Sequence, residues 1–369
     1  MSRQVCILLP RTGLYPGLGK MLADAFGELG WQPTVRHRAD ADALRHDLLL
    51  LAGFCRYIEG LPAVLSQRRG RSPVTLLWQL EPLPPEQLSP LGEQVGRRLA
   101  ALDWGRLPRP ARKLLGNLIP FRTQLLRTLR RWRAREYTRA VRQVPDQEGW
   151  IQYDVENFFN AAGDWEWIRH ARAQGWVDHC FATVQPRVRF LESRGVPAGL
   201  APFGYHPDWG CDRQLPRDID VLFLGALGRG PRHAKLRRLR DALAAQGRTL
   251  TFVSGVQGAA REAWLNRARI VLCLLRTPHD LPAMRVMLGL ACGALVVCES
   301  CADTGAFVAG EHFVMTSLED MPAVIDRHLT HDVERQAIAA AGHRFVTAEL
   351  TLPQVLRRML AVANLRSSP

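Results

Sequence analysis

The stretch RVMLGLACGALVVCE, from Arg285 to Glu299, carries one charged residue at each end and small or apolar residues between them. The pattern predicts a helix that ends at Gly293 and then a strand, ALVVCE, that is buried on both faces. In a strand–helix–strand unit, the helix begins at the carboxyl edge of the sheet and the next strand ends at that same edge. Arg285, in the first turn or so of the helix, and Glu299 are therefore predicted to point toward one crevice.

Strand and helix patterns alternate on both sides of this stretch. From Asp220 onward the sequence predicts a doubly wound domain of five strands with their crossovers, at DVLFLG, TLTFVSG, IVLCLL, ALVVCE and HFVMT. The N-terminal half predicts further parallel strands at VCILLP, DLLLLAG, VTLLWQLE and DHCFATV, and residues 202–216 have the composition of a linker. We expect an α/β fold with domains over residues 1–205 and 206–345 and a C-terminal helix in residues 346–369.

Length and composition are those of an ordinary globular protein. The chain has 369 residues, 47% hydrophobic and 23% charged, which suits two domains. The first apolar run is too short for a signal sequence, and no later run approaches the roughly 20 residues of a membrane-spanning helix, so a cytoplasmic protein is expected. The eight cysteines fit reduced core residues. Cys298 and Cys301 have the spacing of a metal or redox pair, but a second pair is missing, so no metal site is expected.

The net charge of +14 is concentrated in one segment. Residues 97–142 hold fourteen Lys and Arg against Asp103 and Glu136. Within this segment, residues 121–141 have the spacing of a basic amphipathic helix. Two interpretations stay open: the apolar stripe enters an anionic membrane surface, or it packs on the protein while the arginines are solvated. Nucleic acid is not expected as a partner, because no recognition motif for it is present.

The first loop of the C-terminal series reaches the same predicted edge as Arg285 and Glu299. Gly225 ends the strand, and Gly228, Arg229, Gly230 and Arg232 follow before the helix. Glycines let backbone amides approach an anion, helix N-termini favour anions, and arginine adds paired hydrogen bonds, so the loop is a candidate diphosphate cradle.

Other side chains at this edge allow more than one interpretation. Glu299 is a candidate acceptor for ribose hydroxyls, and His279 is either a helix cap or a ligand contact. The alternative is that Arg285 and Glu299 pair with each other and that the loop arginines are merely solvated.

Two rival nucleotide sites fit the sequence less well. A dinucleotide-binding domain would have an acidic residue at the end of its second strand, but TLTFVSG ends in Ser254 and Gly255. A P-loop would have four residues between its glycines and Ser or Thr after the lysine, but Gly13 and Gly19 enclose five residues and Met21 follows Lys20. These departures disfavour a dehydrogenase and an ATPase.

Three segments carry a resemblance to a known family. DVLFLGALGRGPRH, residues 265–299 and FVAGEHFV resemble the donor-binding domain of GT-B glycosyltransferases, most closely the family 1 or spore-maturation-type enzymes. The resemblance extends over residues 200–345 and, more loosely, over the N-terminal half. It implies two Rossmann-like domains that face a cleft, the first for an acceptor and the second for a nucleotide sugar, with no essential metal or other cofactor. It also implies that the C-terminal helix crosses back to the N-terminal domain.

The resemblance also implies roles for single residues. Gly225, Arg229 and Arg232 would hold the diphosphate, and Arg285 and Glu299 match family positions near phosphate and ribose.

One departure from the family concerns the ribose. Many relatives have two glutamates eight positions apart, where this sequence has Asp280 and Leu288. Glu299 is then the candidate ribose contact, and the missing carboxylate marks either altered donor choice or lost activity.

An inverting transferase also needs a base from the acceptor domain, and a retaining one does not. Glu81, at the end of VTLLWQLE, is the first candidate for this base, and Asp154 and Glu156 are alternatives.

The sequence therefore predicts a glycosyltransferase that moves a sugar from a nucleoside-diphosphate sugar to an unidentified acceptor, and an acceptor associated with a membrane or envelope is expected if residues 121–141 bind lipid. The alternative is a catalytically silent module that keeps the fold and binds a nucleotide or a partner, and Leu288 motivates it. Peripheral association with the inner face of a membrane is expected if residues 121–141 bind lipid.

Overall fold

The computed structural model describes residues 3–11, 17–68, 70, 72–81, 83–84, 155–225, 231–275 and 281–365. The predicted basic segment, residues 97–142, lies outside the described residues, as does its amphipathic part at residues 121–141. Two parallel sheets with helical crossovers make up the described chain. This confirms the predicted α/β class with two Rossmann-like domains.

The N-terminal sheet has six strands in the order β2-β1-β3-β4-β5-β6, and every pair is parallel. Its third strand in the chain, LLLLA, is buried at all five positions, because helices cover both faces of a parallel sheet. The strands are β1 Gln4–Leu8, β2 Gln32–Arg36, β3 Leu48–Ala52, β4 Val74–Gln79, β5 His179–Ala182 and β6 Ala198–Leu200. The helices are α1 Leu18–Glu28, α2 Leu61–Leu65, α3 Val155–Ala173 and α4 Gln185–Glu192.

The C-terminal sheet has five parallel strands in the order β11-β10-β9-β7-β8, which confirms the five predicted strands. The strand order reverses at β7, and a doubly wound sheet has its crevice at the carboxyl ends of the strands beside such a reversal. The strands are β7 Ile219–Leu224, β8 Leu250–Val253, β9 Ala268–Cys273, β10 Leu295–Glu299 and β11 Val314–Thr316. The helices are α5 Pro231–Ala245, α6 Gly258–Arg267, α7 Ala283–Ala291, α8 Met321–Thr330, α9 Asp332–Arg344 and α10 Leu352–Val362.

Helix α7 packs unusually close to the sheet. A Cβ on Gly289 would lie 2.6 Å from Cγ2 of Val296 and 3.3 Å from Cβ of Val271, so only glycine fits without repacking. Gly293, just after the helix, has a φ of 69°, a left-handed conformation that favours glycine and turns the chain into β10. The small residues of the quoted stretch therefore serve the contact between helix and sheet, as predicted.

The linker and the C-terminal helix join the two sheets. The Tyr205 N–H donates to the Leu350 carbonyl and the Leu352 N–H donates to the Tyr205 carbonyl, both over 2.7 Å. A Cβ on Gly204 would lie 2.4 Å from Cα of Leu352, so the two chain segments touch backbone to backbone. Helix α10 then packs against α1, and one continuous apolar cluster includes residues of both sheets. The last helix thus stabilises the position of one sheet relative to the other.

Candidate functional site

The carboxyl ends of β7, β9 and β10 form one edge of the C-terminal sheet, because the three strands are parallel and adjacent. Gly225 follows β7, Leu275 follows β9 and Glu299 ends β10. Helices α5 and α7 also begin at this edge. We call this region the C-terminal edge. The prediction that Arg285 and Glu299 lie on one edge agrees with these positions.

Glu299 is buried and both of its oxygens have protein partners. Oε1 lies 2.5 Å from Nζ of Lys235, which is on α5, and Oε2 accepts from the Leu275 N–H over 3.2 Å. The side chains of Glu299 and Lys235 are only 8% and 12% exposed. Glu299 therefore ties the first helix of the domain to the segment after β9, and it orients the Lys235 ammonium at the C-terminal edge. A ribose contact of Glu299 stays a prediction.

Arg285 makes no ion pair among the described residues, so the alternative in which it pairs with Glu299 is not observed. Its guanidinium lies 5.4 Å above the ring of Phe223, and its Nη1 is buried without a hydrogen-bond partner in the part of the chain that the structure describes. Burial raises the pKa of the neighbouring Cys273 to about 12, so this thiol stays protonated and supplies no negative charge. A buried cationic N–H without a partner is costly, and an anion bound at this edge would offset that cost.

Gly225 brings the backbone next to this arginine. Its φ is 154°, which side chains of L-residues rarely adopt, and a Cβ there would lie 3.1 Å from Nη2 of Arg285. His233, in the first turn of α5, also has a buried Nδ1 without a hydrogen-bond partner among the described residues. The first turns of α5 and α7 thus present nitrogen atoms without a partner among the described residues, beside the end of β7 where the sequence predicts a diphosphate cradle.

Three other predicted site residues lie wholly or partly outside the described residues. Arg229 and His279 lie outside the described residues, and Arg232 belongs to α5 but its side chain is outside them. Leu288, at the family's glutamate position, is an apolar residue of α7 that is 8% exposed and belongs to the core. Lys235 was missed in the sequence; its position in the first turns of the helix after the glycine-rich loop was the signal that could have found it.

The carboxyl edge of the N-terminal sheet carries a second set of polar residues. Glu81 lies two residues after the end of β4 and is 2% exposed. Asp164, on α3, is 3% exposed; its Oδ1 lies 3.3 Å from Nε of Arg56, and its Oδ2 accepts from Nε2 of Gln79 over 3.4 Å. Asp154 and the side chain of Glu156, the alternative bases, lie outside the described residues.

Burial raises the pKa of Asp164 to about 7 and the charge of Glu81 adds to the rise, while Arg56 lowers this pKa. No sequence pattern pointed to Asp164, because its burial depends on how α3 packs on the sheet.

Helix α4 contacts both edges. Nη1 of Arg187 donates to the Leu80 carbonyl over 2.9 Å, next to Glu81. Two residues further along, Nη1 of Arg189 lies 3.5 Å from Oδ2 of Asp303, in the loop that follows Glu299. The carboxyl edges of the two sheets are therefore close to one another, with one helix in contact with both.

Neither the cysteines nor the helices in the described ranges indicate a disulfide, a metal site or a membrane span. All eight cysteines are free, including Cys298 and Cys301. Within the described ranges, no three His, Cys, Asp or Glu residues are grouped so that they could hold a metal ion. None of the helices found in those ranges is both long and apolar enough to span a membrane.

Comparisons with known proteins agree with this architecture. Residues 229–361 match the family described as "Glycosyl transferase-like". A search of curated proteins found no match.

Among solved structures, the chain is similar to sucrose-phosphate synthase from Thermosynechococcus elongatus, with a TM-score of 0.52 and 9% identity over 98% of both chains. It is also similar to TarM, with a TM-score of 0.51 and 6% identity over 86% of this chain and 54% of that one. HepE from Anabaena, solved with UDP and glucose, has a TM-score of 0.48 and 11% identity over 98% of this chain and 99% of that one. The family match over residues 229–361 and the fold shared with sucrose-phosphate synthase and TarM agree with the predicted GT-B fold of two Rossmann-like domains.

Proposed function

We propose that this protein is a glycosyltransferase that takes its sugar from a nucleoside-diphosphate sugar and that the C-terminal edge binds the diphosphate. The observation that carries the proposal is the half-buried Arg285 guanidinium, whose buried Nη1 has no hydrogen-bond partner among the described residues and which lies beside Gly225. A diphosphate would accept from this N–H and would also face Lys235, which Glu299 orients. The loop with Arg229 and the first turn with Arg232 would complete the cradle.

In the transfer reaction, negative charge develops on the diphosphate as its bond to the sugar breaks. Arg285 and Lys235 would stabilise that charge, and they are held in place before the reaction by Phe223 and Glu299. In an inverting reaction, Glu81 would accept the proton of the attacking acceptor hydroxyl. A retaining reaction would leave Glu81 without that role.

Binding of UDP, GDP, dTDP and CDP, measured by saturation-transfer NMR and calorimetry, tests the donor site. We expect at least one of them to bind, and Arg285→Gln to weaken that binding about tenfold to a hundredfold, because a hydrogen bond to a charged group contributes about 1.5 to 3 kcal/mol. Arg238→Gln is the matched control, since Arg238 is an exposed arginine on α5. Failure of all four nucleotides to bind would contradict the proposal.

A catalytically silent nucleotide-binding module is the second candidate, and the buried Leu288 at the family's glutamate position favours it. Donor consumption separates the two functions. A transferase releases the nucleoside diphosphate from its sugar nucleotide, and Arg285→Gln and Glu299→Gln reduce that release. Nucleotide binding without any donor consumption, across a panel of sugar nucleotides, would favour the silent module.

The acceptor is proposed to lie at an anionic membrane surface, on the charge pattern of residues 121–141. Co-sedimentation with vesicles that contain phosphatidylglycerol should occur at low salt and weaken as salt is added. A chain lacking residues 121–141 is the control variant, and equal sedimentation of both chains would refute this part of the proposal.

A further inference from the structure

The carboxyl edge of the N-terminal sheet contains a buried cluster of polar side chains that take no part in the proposed donor site. Its members are Arg56, Gln79, Glu81 and Asp164, and each carboxyl-bearing residue is at most 3% exposed. Buried carboxyl groups are rare without a specific reason, and perturbed ones gather at functional sites. The cluster follows β4 at the edge where an acceptor hydroxyl would meet its base.

Gln79 connects the two acidic residues. Its Nε2 donates to Oδ2 of Asp164 over 3.4 Å and to the backbone carbonyl of Glu81 over 3.2 Å. Asp164 is therefore connected, through the side chain of Gln79, to the turn that carries Glu81. A change at Asp164 would reach Glu81 without any contact between Asp164 and a substrate.

Gly163, on helix α3, has no side chain and so leaves room for the Arg56 guanidinium beside Asp164. A Cβ on Gly163 would lie 1.5 Å from Nη1 of Arg56, so the guanidinium occupies the space that any other residue would fill. The same guanidinium donates from Nη2 to the hydroxyl of Tyr57 over 2.7 Å. Gly163 therefore sets how closely a positive charge approaches the Asp164 carboxyl group.

Within the described part of the chain, three charged or titratable groups face Asp164. Arg56 and Cys55 come from the turn after β3, and Glu81 comes from the end of β4. Burial raises the pKa of the Cys55 thiol well above its usual range, so Cys55 stays neutral near pH 7. The protonation of Asp164 is then governed by burial, by the charge of Glu81 and by the opposite charge of Arg56.

We infer that Asp164 is a positioning residue for the transfer reaction, which holds the Glu81 turn through Gln79 and sets the proton affinity of Glu81 by gaining or losing its own charge. The inference rests on the proposed function, with Glu81 as the base. Repulsion between two carboxylates is mutual, so an ionised Asp164 makes Glu81 a stronger base and a protonated Asp164 makes it a weaker one.

The first experiment is independent of activity and follows the carboxyl carbon of Asp164 by 13C NMR between pH 4 and pH 9. We expect Asp164 to titrate near pH 7 in the wild-type chain and at lower pH in Glu81→Gln, because that variant removes the charge that raises this pKa. Gly163→Ala should displace Arg56 and move the Asp164 titration to higher pH. Asp178→Asn is the matched control, because Asp178 is a largely buried aspartate paired with Arg68 away from this cluster, and it should not move the Asp164 titration. An unchanged Asp164 titration in Glu81→Gln would overturn the inference.

The second experiment measures donor turnover against pH. We expect kcat/KM of the wild-type chain to rise through an inflection near pH 7, Asp164→Asn to lose that inflection, and Asp164→Glu to restore it at a shifted pH. Circular dichroism and nucleotide affinity show whether a variant is folded. Full turnover in Glu81→Gln would refute Glu81 as the base while leaving the NMR result on Asp164 standing. An inflection that persists unchanged in Asp164→Asn would refute the role of Asp164 while leaving the base standing.

Discussion

The two residues of the buried ion pair, Lys235 and Glu299, should be coupled more strongly in their effect on stability than those of an exposed pair of similar length. Its atoms are 2.5 Å apart and its side chains are 12% and 8% exposed. Removing one partner of such a pair leaves an uncompensated buried charge, which costs about 3 to 5 kcal/mol. Removing both leaves no such charge, so the double variant should be far more stable than the sum of the two losses predicts.

A double-mutant cycle of Lys235→Met and Glu299→Gln measures this coupling from urea unfolding followed by circular dichroism. We expect each single variant to lose about 3 kcal/mol and the coupling energy to exceed about 2 kcal/mol. Arg327 and Glu334 form the matched control pair, at 2.9 Å with side chains 63% and 38% exposed, and their coupling should be below about 1 kcal/mol. Equal coupling in the two cycles would refute the idea that burial makes the Glu299 pair a structural anchor of the C-terminal edge.

Three further predictions follow from single sites. Gly225→Ala should lower nucleotide affinity in calorimetry by about tenfold, because its Cβ would press on the Arg285 guanidinium, whereas Gly247→Ala, with a positive φ but open space around it, should leave affinity unchanged. The pKa of Asp164 is about 7 in the folded chain, whereas an unperturbed aspartate has a pKa of about 3.9. The folded state therefore binds the extra proton, and the free energy of unfolding should fall as pH rises from about 4 to about 7, by up to about 4 kcal/mol. Asp164→Asn should flatten that slope in urea titrations at a series of pH values, and a slope that is the same in both chains would contradict the burial argument. Gly289→Ala should destabilise the chain by about 1 to 3 kcal/mol through overpacking against Val296, while Gly27→Ala on an exposed face of α1 should not destabilise it.

The alternation of strands and helices was enough to predict much of this architecture. Once ALVVCE is a strand and the preceding residues are its helix, the right-handed parallel crossover leaves a single edge for Arg285 and Glu299. The same geometry assigns Gly225 to that edge. These are consequences of local pattern and chirality, and they do not depend on which side chains finally touch.

The partners of those residues depended on tertiary packing. Glu299 pairs with Lys235 and not with Arg285. Which of the two cations Glu299 meets depends on the positions of α5 and α7, which are distant in the sequence, and on the rotamers of the side chains. Asp164 is buried because α3 lies on β4 with Gly163 opposite Arg56, a contact between elements about a hundred residues apart. The periodicity of the sequence indicates which face of a helix or strand is apolar. The charge that a buried group faces is decided instead by distances across the fold, because electrostatic interaction energies fall off over a few ångströms.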